Sequence, residues 1–453
     1  MFKKGFVPIL IIIVAIIIGT GFVVYRSLKF KVSIPNTTST SSISTTTSTT
    51  PVTVFKANNA VEANNQFGID LYKRYSATKN KEENIFFSPF SISSVVAMTY
   101  EGAKGKTAEE IQSVFHFPAD TKVLREDYQN IYNIINRDST LSNKDVVYKL
   151  NTANALWVQK DYKLLESYVS LIKKYYNGEI QNLDFINNAK QAVITINSWV
   201  EKKTANRIKN LLSESNVEEA KLVLTNAIYF KGEWFNKFSK ESTKDKDFKI
   251  TPSLTIKVPM MEQVDHFRYT ESSDVQLLEL PYKSYPNDEL SMLILLPKKN
   301  DLASLERGLN IQKLSELVSK LEIKKVDVFL PKFKIETKTE MKNDLNAMGM
   351  PTAFSKEADF SGITGRPNLK IDKVIHQTFI ENKEEGTEAA AATAGVMIPI
   401  ASPPGPMPQE KIYIFNANHP FIFLIQQRTQ DNITKNELGN ILFMGRVVNP
   451  STK

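Results

Sequence analysis

The 453-residue chain contains no cysteine. That absence removes disulfides, thiol catalysis and thiolate metal sites together, so the fold stands on packing alone. It leaves the compartment open, because a chain of this length buries enough core to need no covalent staple. Histidine is scarce: His116, His266, His376 and His419 are the complete set, and none has the H-E-x-x-H spacing of a metal helix. His116, inside VFHFP, reads as a packed or turn residue, and His266, in DHFRY, as a surface strand residue. No G-x-S-x-G elbow presents a nucleophilic serine. The run Gly102-Ala-Lys-Gly-Lys-Thr107 lacks the first glycine of a phosphate loop and reads as a helix stop and restart. No enzyme signature is left, and neither metal nor cofactor is expected.

Acidic residues are missing altogether from residues 1–55, which carry Lys3, Lys4, Arg26, Lys29 and Lys31. Those five account for most of the net charge of +8, leaving three for everything behind them. So small a balance, without an Arg-rich stripe or aromatic–basic interleaving, excludes a nucleic-acid footprint. Residues Phe6–Tyr25 form an uncharged apolar run close to the ~20 residues that cross a bilayer as a helix. Residues 1–25 are therefore expected to be a membrane anchor or a signal peptide. Residues 26–57 follow as a Ser/Thr-rich linker that buries too little apolar surface to fold and resembles an extracellular stalk. The rest is expected outside the cell, tethered to the membrane or secreted after cleavage.

Hydrophobic content of 42% is ordinary for a globular chain. Helical spacing predicts a helix over Asn59–Ala77 and a second through Ser91–Tyr100, started by Ser88-Pro89 and closed by Gly102. Thr107 followed by Glu110 predicts a capping box for a third, and Ala192, Ile196, Trp199, Val200 and Ile208 predict a long surface helix within 188–212. Strand-length apolar runs cover Leu222–Phe230, Val275–Leu280, Leu290–Leu296, Val326–Phe329, Ile375–Ile380, Ile412–Phe415, Phe421–Gln426 and Ile441–Val448. Helices first and strands later predict an α+β fold, not a regular βαβ winding.

One stretch contradicts itself locally. Six of the eight residues Glu388–Gly395 are Ala or Glu and favour helix, yet Gly386, Gly395 and five prolines behind them forbid a stable one. Read at period two, Thr387, Ala389, Ala391, Thr393, Gly395 and Met397 share one face, with Glu388 on the other. An Ala-rich flexible linker and a strand in waiting both fit these residues.

Eight blocks set that stretch in a frame: NIFFSPFSISSVVAMTYEGAKGKTAEEI (84–111), LTNAIYFKGEW (224–234), VPMM (258–261), LPKFKIE (330–336), ADFSGIT (358–364), EEGTEAAAA (384–392), FNANHPFIFLI (415–425) and ILFMGRVVNP (441–450). In this order they resemble the serpins, protease inhibitors that trap serine proteases by loop insertion. The resemblance covers residues 58–453. It implies a multi-stranded central sheet with two further sheets, eight or nine helices and an exposed reactive-centre loop at about 384–408. It makes Glu384, Glu385, Gly386, Thr387, Glu388, Ala389, Ala390, Ala391, Ala392 and Thr393 the hinge of that loop. Counting fifteen residues from Gly386 implies a reactive bond at Ile400–Ala401. Ser88, Ser91, Asn226 and His376 match the shutter beneath the central sheet, and Trp234 matches the breach where the loop first enters. A monomer is implied, with a serine protease as partner. Isoleucine before the bond suits the hydrophobic primary pocket of an elastase- or subtilisin-like enzyme. Left open is a non-inhibitory serpin acting as substrate, chaperone or carrier.

Overall fold

The computed structural model describes residues 56–135, 148–284, 288–387 and 410–452. The expected anchor, nearly all of the linker, and the loop positions Glu388 to Pro408, including Ala389 to Thr393, Ile400 and Ala401, lie outside them. No helix among the described residues is long and apolar enough to cross a membrane.

The chain opens with α1 (Ala60–Thr78), β1 (Ile85–Phe87), α2 (Pro89–Tyr100), α3 (Gly105–Phe115) and α4 (Thr121–Ile135). Asn59 caps α1 by accepting the Glu62 N–H. Ser88 caps α2 from the position before a proline whose fixed φ suits a helix start. Eleven of the twelve α2 residues are buried, which carries Ser88 and Ser91 into the core.

The capping box expected at Thr107 is not formed. The helix α3 begins three residues earlier, after Lys104, and the buried Thr107 hydroxyl accepts the Asp359 N–H instead. Glu110 reaches the N–H and hydroxyl of Thr352, so tertiary partners outcompete the local motif.

Next come β2 (Tyr148–Gln159), α5 (Glu166–Tyr175), β3 (Glu179–Leu183), α6 (Ala189–Lys203) and β4 (Leu222–Glu233). The helix α6 is shorter than the sequence suggested. Ala205 and Asn206 turn left-handed at φ 51° and 60°, and the Asn197 side chain grips the N–H and carbonyl of Leu212, so the chain doubles back with Ile208 beyond the helix. Ile196 and Val200 of α6 pack with Ala153, Trp157, Val223 and Ala227. Each aliphatic side chain buried there contributes about 1.5–3 kcal/mol.

The middle of the chain gives β5 (Lys244–Thr251), β6 (Leu254–Glu271), β7 (Val275–Pro281), β8 (Asp288–Pro297), α7 (Leu302–Gly308) and α8 (Ile311–Ser319). Then follow β9 (Glu322–Pro331), β10 (Phe333–Glu340), α9 (Lys342–Met348), α10 (Ser361–Thr364), β11 (Lys373–Lys383) and β12 (Gly386–Thr387). The last elements are β13 (Ile412–Asn416), β14 (Phe421–Thr429), α11 (Gln430–Lys435) and β15 (Asn440–Val447).

All eight expected strands form. The central sheet has six strands in the order β10-β11-β12-β4-β2-β3. The strands expected as two further sheets are joined through the 18-residue β6, which pairs with β5, β9 and β7 in turn, into one hydrogen-bonded set of nine. Among the described residues eleven α-helices are present, four of them shorter than eight residues.

Candidate functional site

Two neighbouring strands of the central sheet, β11 and β4, define the site by pairing along only part of their length. They run parallel in direct contact from Lys373–Phe379 against Val223–Tyr229. Above Phe379 they part, and β12 occupies the gap, antiparallel to both: Gly386 lies opposite Lys383 and Glu233, and Thr387 opposite Asn382 and Gly232. The chain reaches that gap by a tight turn at Glu384 and Glu385. Gly386 sits at φ 146°, and a Cβ there would lie 2.1 Å from the Gly232 carbonyl oxygen, so only glycine fits between the strands. Thr387 is fully buried, its hydroxyl 2.7 Å from the Tyr282 hydroxyl. Burial pushes the Tyr282 phenol far above its ordinary range, with the Thr387 hydrogen bond opposing, so both partners are neutral.

The turn is held on every side. Trp234 is buried; its indole Nε1–H donates to the Lys383 carbonyl at 3.0 Å and its backbone N–H to the Glu385 carbonyl at 3.0 Å. Its ring stacks on Tyr282 at 4.4 Å. The buried Glu384 carboxylate receives Lys332 Nζ at 2.8 and 2.9 Å and the Thr243 hydroxyl at 3.0 Å. Burial alone raises its pKa, but these donors and its backbone contacts outweigh burial and leave it below the ordinary glutamate value. Glu385 pairs with Lys240 at 2.5 Å, and there too the ion pair outweighs burial.

Beneath the direct β11–β4 contact lies a buried polar row. His376, Asn226 and Asn154 stand side by side across β11, β4 and β2. The Ser88 N–H donates to His376 Nε2 at 3.1 Å, so Nδ1 carries the proton and donates to Asn226 Oδ1. Asn226 Nδ2 donates to the Ser91 carbonyl at 2.6 Å and to Asn154 Oδ1 at 2.6 Å. The Ser91 hydroxyl also reaches Asn154 Oδ1 at 3.0 Å, Asn154 Nδ2 donates to Tyr132 Oη at 2.9 Å, and the Ser88 hydroxyl donates to the Leu442 carbonyl at 2.6 Å. Burial drives the His376 pKa down to about 3, so the ring is neutral.

Of the residues singled out in the sequence, the structure brings Glu384 to Thr387 together with Trp234 at one end of the β11–β4 seam. It joins Ser88, Ser91, Asn226 and His376 in one network across the seam. The reactive bond and Glu388 to Thr393 fall outside the described residues. Lys332, Thr243, Lys240, Tyr282, Asn154 and Tyr132 went unrecognised, because they come from distant segments and no local motif marks them. The one available signal was Asn154, a polar residue within NTANALWV, a run otherwise fit for a buried strand. Among the described residues no group of three His, Asp or Glu is placed to hold a metal.

The family model described as serpin (serine protease inhibitor) matches residues 62–450. An uncharacterized serpin-like protein of Methanosarcina acetivorans is 42% identical over 392 residues, covering 86% of this chain and 87% of that protein. The leukocyte elastase inhibitor of Xenopus tropicalis is 40% identical over 401 residues, covering 86% of this chain and 100% of that protein. Among solved structures, Serpin48 of the insect Tenebrio molitor, described as a highly specific serpin, matches with a TM-score of 0.71 at 33% identity, covering 86% of this chain and 97% of that one. The chain belongs to the serpin family, a family of protease inhibitors.

Proposed function

We propose that this chain inhibits serine proteases as a suicide substrate cleaved at Ile400–Ala401. The observation that carries the reading is β12, hydrogen-bonded between β11 and β4 with Thr387 on the inward face. Continuing its register sets Ala389 between Ile380 and Phe230, Ala391 between Thr378 and Ile228, and Thr393 between His376 and Asn226. Every inward position from Thr387 to Gly395 is then small, as a close-packed sheet demands, and Met397 is the first large side chain on that face. Overpacking costs about 1–3 kcal/mol, and an unpaired buried charge several more.

In this mechanism the protease serine Oγ bonds to the Ile400 carbonyl carbon, the Ile400–Ala401 C–N bond breaks, and the Ala401 amine leaves with the transferred proton. The freed strand then continues the path begun by β12, parting β11 from β4 and His376 from Asn226. It draws the acylated protease along before water can release it. The chain is consumed once and turns nothing over, so it is not an enzyme.

Isoleucine at 400, and the lack of Lys or Arg between Glu385 and Gln409, favour an elastase- or subtilisin-like target. The kinship with a leukocyte elastase inhibitor points the same way. The apolar run at 1–25 and the stalk-like 26–57 support action outside the cell, on a tether or after release.

The test incubates residues 56–453 with pancreatic elastase, subtilisin and trypsin. Expected is a denaturant-resistant adduct with elastase or subtilisin and a released fragment beginning at Ala401. The Ile400→Arg variant should shift adduct formation to trypsin. Cleavage of the loop by all three enzymes without an adduct would sink the inhibitory reading and favour the non-inhibitory one.

A further inference from the structure

Lys73 of α1, Glu306 and Arg307 of α7, Lys81 from the turn after α1 and the buried Arg446 of β15 line a cleft of about 400 Å³. Four cations against one carboxylate give it a charge of +3, as much as residues 56–453 carry in all, so the rest of that stretch balances to zero. A cleft lined by one sign of charge focuses its field on whatever enters. The rim cations are loose. The Lys73 and Lys81 side chains have no hydrogen bond or ion pair among the described residues, and Arg307 gives one N–H to the Ser304 hydroxyl at 2.6 Å. Asp301, which caps α7, is taken by the Ser304 N–H and hydroxyl.

The buried pair in the cleft is fixed. Arg446 donates from Nε to the Glu83 carbonyl at 3.0 Å, from Nη2 to the Asn80 carbonyl at 2.7 Å and from Nη1 to Glu306 Oε1 at 2.9 Å. The Tyr72 hydroxyl donates to the same Oε1 at 2.9 Å, and Oε2 receives no hydrogen bond among the described residues. Three unengaged cations suit a phosphate dianion, which each can reach with a charge-assisted hydrogen bond. The spare Glu306 oxygen suits a hydroxyl donor, and Leu302 and Ala303 add an apolar wall for a carbon ring. A polyanionic chain fits worse, because it would set its own charge against Glu306. The volume lies at the small end of ligand sites, about 300–1,000 Å³.

We propose that the cleft between α1 and α7 binds a phosphorylated sugar, free or as a lipid headgroup, with Lys73, Lys81 and Arg307 on the phosphate and Glu306 on a hydroxyl. The site shares no residue with the β11–β4 seam or the loop. It stands whether or not the chain inhibits proteases.

The test titrates the full-length chain by calorimetry with glucose 6-phosphate, glycerophosphoinositol 4-phosphate (a deacylated lipid headgroup), inorganic phosphate and glucose. Expected is a dissociation constant below about 1 mM for at least one phosphorylated sugar, with inorganic phosphate and glucose each tenfold or more weaker. Whichever phosphorylated probe binds more tightly identifies the source. A Lys73→Ala, Lys81→Ala, Arg307→Ala variant, changed at three exposed positions, should lose tenfold or more in affinity for that probe at an unchanged unfolding midpoint. A single Arg307→Gln variant gives the same kind of loss should the triple variant unfold. Inorganic phosphate binding as tightly as both sugars overturns the assignment of a sugar. Affinity in the variant within twofold of wild type, or no binding of either phosphorylated sugar at about 10 mM, overturns the site.

Discussion

The hydroxyls of Thr387 and Tyr282 lie 2.7 Å apart, both buried, where the hinge enters the central sheet. Tyr282 in turn stacks on Trp234, whose N–H groups hold the Lys383 and Glu385 carbonyls. One aromatic pair thus couples the first inserted residue to the turn that delivers it.

Tyr282→Phe keeps the stacking and removes the hydroxyl. A buried Thr387 without its partner destabilises the inserted state by about 1–3 kcal/mol. Hydrogen exchange of the Gly386 and Thr387 amides should quicken by ten- to a hundredfold, while amides of β14 keep their protection. Unchanged exchange at Thr387 would mean that the backbone ladder alone holds the strand.

Glu384→Gln removes the charge that Lys332 and Thr243 surround. Lys332 is about one-third exposed, so solvent screens the pair and the expected loss is about 1–2 kcal/mol. Because the folded pKa of Glu384 is lowered, its contribution is present above the ordinary glutamate range and fades as pH falls through it. Denaturant curves at pH 7 and at successively lower pH below the ordinary glutamate range should show the gap between wild type and variant at pH 7 and a steady narrowing as pH falls through the lowered folded value.

His376 behaves in the opposite sense to a surface histidine. Its folded pKa is about 3 against an ordinary 6.5, so the unfolded chain takes up its proton first. Stability from this group is whole above pH 6.5 and is lost as pH drops toward 3, by up to about 1.4 kcal/mol per unit. His376→Gln should be less stable at pH 7 yet show a flatter decline between pH 6 and pH 4. Parallel wild-type and variant curves across that window would refute the assignment.

Ala391→Glu should leave the uncut fold unchanged, with the same unfolding midpoint within a degree or two. After cleavage the carboxylate would have to enter between Thr378 and Ile228. The number of inhibitor molecules consumed per protease molecule should rise at least fivefold, and cleaved monomer should replace adduct on denaturing gels. Survival of one-to-one inhibition would exclude insertion as the mechanism.

Sequence reading located what is locally encoded. The helix α1, the Ser88-Pro89 start of α2 and the eight apolar strands all follow from spacing and residue type. It missed what distance encodes. The Thr107 capping box yields to Asp359 and Thr352, which lie about 250 residues away along the chain. The strand β6 escaped notice because LTIKVPMMEQVDHFRYTE changes pairing partner midway and carries proline and charges within it. Lys332 and Tyr282 look like any surface lysine and strand-end tyrosine until the β9–β10 junction brings Lys332 beside Glu384 and the end of β7, bridged to Trp234, brings Tyr282 beside Thr387.

The register of β12 also bears on how the hinge tolerates changes of length. A strand alternates faces at every residue, so one added or lost residue exchanges the two faces beyond it. In the proposed inserted register, losing one residue anywhere in Glu388–Ala392 still presents alanine at the three inward positions after Thr387. Gaining one directly after Thr387 instead turns Glu388 inward against Ile380 and Phe230. The four successive alanines therefore protect this hinge against shortening, and against lengthening only where the added residue falls behind Glu388.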